Sequence, residues 1–115
     1  MNKEQDVLHV EATGTRNLEA VLAAAKEIME ACTKHGTSEV LIDVRKLEGR
    51  LGTLDAYDLP TKYFPKLRDE GVLTKAAIVD LKEFENSYRF LETVAANRGY
   101  NLRIFGDIDE AMKWL

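Results

Sequence analysis

Two aspartates close apolar, strand-like runs in this chain of 115 residues: Asp43 in EVLIDV (39–44) and Asp80 in TKAAIVD (74–80). If the two runs are neighbouring parallel strands, their carboxylates would stand roughly 5–10 Å apart, given a strand spacing of about 4.8 Å. Such a pair could share acid–base work or hold a divalent cation. The same loop-bearing ends would offer Thr15, Arg16 and Asn17 after the first strand, Arg45 and Lys46 after the second, and Lys82, Asp107 and Asp109 further on. Aspartate is also a preferred helix cap. Asp80-x-x-Glu83 and Asp107-x-x-Glu110 both carry the capping-box spacing. Capping accounts for these aspartates without chemistry, and an enzyme built on Asp43 and Asp80 is the minority alternative.

The other reactive groups are few. Cys32 lies on the apolar stripe of a helical segment, where a buried, inert thiol is expected. Ser38 precedes a strand and Ser87 falls inside a helix. His9 alternates outward on an edge-like strand, and His35 adjoins a glycine stop, where it favours a helix C-terminus electrostatically. No serine, histidine and acid converge. Zinc-ligand spacing, the P-loop and the dinucleotide fingerprint are absent, so neither catalytic residues, a metal nor a cofactor is expected. In LIDVRKLEGRLGTLD (41–55) the glycines fit no phosphate motif. Asp43 there ends a strand, Gly49 and Gly52 shape a turn, and Thr53 caps the next helix.

The positioning elements follow from periodicity. Gly36, Gly71 and Gly99 each follow a helix-like segment and precede a strand-like one, as helix stops do. The strands read as VLHVEA (7–12), with Leu8, Val10 and Ala12 on one face, then 39–44, 74–80 and NLRIF (101–105). Leu18, Val21, Leu22, Ala25, Ile28, Met29 and Cys32 make the stripe of a long first helix. Phe84, Tyr88, Leu91 and Ala95 make that of the third, and Ile108, Ala111, Met112 and Leu115 that of the last. The second is broken by Pro60 and Pro65. Alternating strands and helices predict an α/β fold: a single domain over 1–115, with a four-to-five-stranded, mostly parallel sheet and about four helices.

Composition narrows the partners. Net charge is −4 with both signs interspersed, whereas nucleic-acid binding needs a concentrated basic face. No apolar run approaches the roughly 20 residues of a membrane span. The start lacks a secretory h-region, and a single cysteine fits a reducing compartment, so a cytoplasmic protein is expected.

The run ETVAANRGYNLRIFGDIDEAMKWL (92–115), together with VLIDVRKLEG (40–49), resembles the bacterial STAS/SEC14-type proteins with a SpoIIAA-like fold. Its most specific parts are the Arg-Gly-Tyr-Asn turn and the final Phe-Gly-Asp…Glu-Ala…Trp-Leu helix. The resemblance implies a βα superhelix and a regulatory or carrier role without established catalysis. Some relatives are anti-sigma-factor antagonists that pair with a kinase, and others hold lipids or similar apolar molecules. The antagonists carry a phosphorylatable serine in an Asp-Ser-x-Gly turn. This chain has Arg50-Leu51-Gly52-Thr53 there, so Thr53 is the sole hydroxyl available and the serine switch is missing.

Two functions are expected on this basis. The first is binding of a small apolar, lipid-like ligand under the 51–67 segment, by Leu51, Leu54, Tyr57, Leu59, Tyr63 and Phe64, with Phe84 and Tyr88. The second is a protein-interaction module, as heterocomplex or homodimer, that presents Arg45, Lys46, Arg50 and Thr53 to its partner.

Overall fold

The protein is described by a computed structural model that covers residues 2–4, 7–49, 58, 61–62, 74–81, 89–97 and 101–115. Among the described residues five strands form one sheet in sequence order: β1 (Asn2–Glu4), β2 (Val7–Thr15), β3 (Glu39–Glu48), β4 (Lys75–Val79) and β5 (Asn101–Phe105). β2 to β5 run parallel, while β1 folds back antiparallel along the start of β2, with Asn2 opposite His9 and Glu4 opposite Val7. Among the described residues there are three helices: α1 (Leu18–His35), α2 (Arg89–Asn97) and α3 (Ile108–Trp114). The α/β reading with a mostly parallel sheet therefore holds.

Helices cover both faces. Leu8, Val40, Ala76 and Leu102 share one register row. Their face packs against Ile28, Ala31 and Cys32 of α1 and Ala95 of α2. The alternate residues Val7, Leu41, Ala77 and Val79 point the other way, onto Ile108, Ala111, Met112 and Trp114 of α3. α1 lies in the β2–β3 crossover and α2 in the β4–β5 crossover, and crossovers of one hand between adjacent parallel strands place their helices on one face. α3 follows β5, is bound by no crossover, and covers the opposite face. The face of Leu8, Val10 and Ala12 is thus not the sole buried face of β2. Val7 is as buried as Val10, whereas Ala12 is only half-buried. Burying a side chain of the size of Leu8 or Val40 stabilises the fold by about 1.5–3 kcal/mol.

Local chemistry sets the ends of α1. The Asn17 side chain accepts from Ala20 N at 2.8 Å, capping the first turn. At the other end Gly36 takes the left-handed conformation (φ 65°), which lets Thr37 N reach Cys32 O at 2.9 Å and Gly36 N reach Thr33 O at 3.4 Å. This paired closure is a Schellman motif, with Thr37 and Cys32 both buried beneath it. Gly36 is the stop that the sequence predicted, and His35 is the last helical residue. Gly71, Gly99 and the proline-broken segment lie outside the described residues, apart from Asp58, Thr61 and Lys62.

Two strands differ from expectation. β2 continues three residues past Ala12, and β3 continues past Val44 to Glu48 because β2 runs beside it: Thr13, Gly14 and Thr15 pair with Lys46, Leu47 and Glu48. Asp43 therefore does not end its strand, and Arg45 and Lys46 lie in β3 rather than in a turn. His9 is not on an edge, since β2 is flanked by β1 and β3.

Candidate functional site

The carboxyl ends of β2, β3 and β4 carry the densest polar structure among the described residues. β4 stops at Val79, opposite Asp43, so among the described residues the last part of β3 pairs only with β2, as a two-stranded ribbon. Its base is a β-bulge. Glu11 pairs with Asp43, but the next pair is Thr13 with Lys46, so β3 holds one more residue than β2 across this step. An extra residue unpairs backbone groups and bends the strand.

Side chains occupy those groups. Asp43 Oδ1 accepts from Arg45 N at 3.1 Å and from Arg45 Nε at 2.9 Å, and Oδ2 accepts from Arg45 Nη2 at 2.8 Å. The aspartate thus ties down the bulge and takes a bidentate grip on the guanidinium that follows it. The hydrogen bond from Arg45 is the main cause holding the Asp43 carboxyl below its ordinary range, and burial opposes it. The carboxylate raises Arg45 in return, with smaller help from Glu11 and Asp107. On the other side of the bulge, Arg16 Nη2 donates to Val44 O at 3.2 Å. Arg16 Nη1 reaches Asp80 Oδ2 at 3.3 Å, with the two side chains 7% and 4% exposed. This buried ion pair starts just beyond β2, crosses over β3 and ends just beyond β4. Asp80 Oδ1 accepts from Leu81 N at 2.8 Å. Lys46 Nζ lies 2.9 Å from Glu11 Oε1, an exposed pair across the ribbon.

Sequence reasoning placed Asp43 and Asp80 at neighbouring strand ends; Asp80 does stand just past the end of β4, whereas Asp43 lies inside β3, opposite the last residue of β4. The structure gives each its own arginine. A carboxylate whose proton affinity is lowered, as that of Asp43 is, makes a poor general base near neutral pH. Asp80 binds Arg16 through its other oxygen, and Glu83 of its expected capping box lies outside the described residues. Asp107 does cap α3, but its side chain accepts from Asp109 N at 2.7 Å, one residue short of the capping-box donor. Among the described residues no group of three or more His, Cys, Asp and Glu could hold a metal ion.

Of the partner-surface residues, Arg45 and Lys46 sit together on the ribbon with side chains 41% and 64% exposed. Arg50 and Thr53 lie outside the described residues. So do all eight residues of the expected apolar site: Leu51, Leu54, Tyr57, Leu59, Tyr63, Phe64, Phe84 and Tyr88. Arg16 appeared in the sequence only as one of several residues at a strand end, and its role was missed. The one signal was an arginine set between a strand and a helix-capping asparagine. Cys32 is buried with no exposed surface, as expected. No helix among the described residues is long and apolar enough to cross a membrane. No family model, curated protein or solved structure matches the chain.

Proposed function

We propose that this chain is a non-catalytic regulatory module of the STAS kind, binding a protein partner through the ribbon formed by the ends of β2 and β3. The observation that carries this reading is the ribbon itself. Lys46, paired with Glu11, and the Arg45 guanidinium, gripped by Asp43, stand exposed on a bulge held by Asp43 and Arg16, so the base of the ribbon presents charged groups from a tied-down backbone. Preorganised surfaces of this kind lose little freedom on association. The serine switch of the antagonist relatives has no counterpart here, which favours constitutive recognition.

The test is a pull-down from the native host with wild type, Lys46→Glu and Arg50→Glu as baits. A shared set of partners captured by wild type should be lost or strongly reduced with both variants. Equal recovery by all three baits would sink the proposal. Binding of a small apolar ligand under 51–67 is the second reading, favoured by the leucines and aromatics of that segment. Native mass spectrometry of protein from its own host should then show a co-purifying mass, and an empty protein would refute it. The same spectrum counts subunits.

A further inference from the structure

The outer edge of β5 is closed by a side-chain pair on α2, and we propose that this pair is a guard against strand addition by a second copy of the chain. Among the described residues β5 is a terminal strand of the sheet. Phe105 O accepts from Asp80 N at 3.0 Å, so the polar groups of Phe105 face β4. By alternation along the strand, those of Ile104 face outward, where a terminal strand is a template for another chain. Both are occupied. Glu92 Oε1 accepts from Ile104 N at 2.6 Å, and Arg89 Nη1 donates to Ile104 O at 3.4 Å. The same guanidinium nitrogen holds Glu92 Oε1 and Oε2 at 2.9 and 3.1 Å. A carboxylate and a guanidinium thus take the places of the carbonyl and amide that a sixth strand would bring.

The position needs such a device. NLRIF is short, apolar at Leu102 and Ile104, and carries no proline. Leu102 and Ile104 are buried on the α2 face, so an incoming strand would find the backbone edge rather than their side chains. A second copy offers the matching edge: a two-fold axis normal to the sheet sets β5 antiparallel to its mate, with the apolar rows of both copies on one face. Arg89 and Glu92 occupy the line that this mate would take. The ion pair between them is partly exposed, with side chains 43% and 16% accessible. The guard therefore works through the backbone groups it covers rather than through a large contribution of the pair itself.

The test uses Glu92→Ala, which removes the acceptor, and Glu92→Gln, which keeps an amide oxygen at the same reach. Glu92→Asp, which shortens that reach with the charge retained, serves if Glu92→Ala does not fold. Hydrogen exchange should find the Ile104 amide protected in wild type and in Glu92→Gln. In Glu92→Ala or Glu92→Asp it should exchange faster by about tenfold or more, the weight of one charge-assisted hydrogen bond. Sedimentation velocity over a concentration series should show association of the unguarded variant where wild type and Glu92→Gln show none. Unchanged Ile104 exchange in the unguarded variant would overturn the proposal. So would faster exchange with no association beyond that of wild type.

Discussion

Replacing Arg16 by methionine should destabilise this protein more than any substitution at its exposed ion pairs. Arg16 and Asp80 meet at 3.3 Å with side chains 7% and 4% exposed. At that separation and an effective dielectric of about 20, their attraction is about 5 kcal/mol before desolvation is counted. Arg16→Met keeps most of the apolar stem but leaves the Asp80 carboxylate without the guanidinium, a change worth about 3–5 kcal/mol for a buried pair. With an unfolding entropy of about 2.1 cal/mol/K per residue, the melting temperature should fall by roughly 12–20 °C. Asp80→Asn should cost somewhat less, since an amide oxygen can still accept from Leu81 N. The double variant removes both charges and should recover at least about 2 kcal/mol relative to the sum of the singles. The assay is urea denaturation followed by fluorescence of Trp114, the only tryptophan, whose ring lies tilted against that of Phe105 with centroids 5.8 Å apart. A loss below about 1 kcal/mol for Arg16→Met, the range of a solvent-exposed pair, or strict additivity in the double variant, would refute the reasoning.

Three further outcomes follow from the same geometry. Asp43→Asn should cost about 1–2 kcal/mol at neutral pH, a figure reduced because Arg45 is partly exposed. The folded carboxyl titrates below its unfolded value, so its contribution is complete above the unfolded range near pH 3.9 and is lost as pH falls through the folded value. Denaturation curves of wild type and variant should begin to converge below about pH 4 and meet once the folded carboxyl is protonated, and a gap that stays constant as pH falls would contradict the assignment. Asn17→Ala leaves Ala20 N without its cap and should lower stability by about 1 kcal/mol, measured by urea denaturation; no change would mean that the cap does not hold in solution. Burial pushes the Cys32 thiol up, so a disulfide reagent should modify it only at the rate of unfolding, and fast labelling of folded protein would contradict its burial.

What the sequence determined by itself is whatever depends on near neighbours along the chain. The left-handed stop at Gly36 needs only a residue without a Cβ. The apolar runs of β3, β4 and β5 announce strands that are covered, and the stripe of α3 reads directly from Ile108, Ala111 and Met112. The same locality set its limits. β1 is three residues long and carries no period to read, and β3 outran its apolar core because β2 continued beside it. The bulge at Val44 has no residue signature, since it exists only as a mismatch between two strands. Arg16 and Asp80 are 64 residues apart in the chain, and Glu92 meets Ile104 across a strand edge, so their partners were chosen by the stacking of the sheet. Composition supplied the charges. Which charge neutralises which was decided only when parallel strands of unequal length were laid side by side.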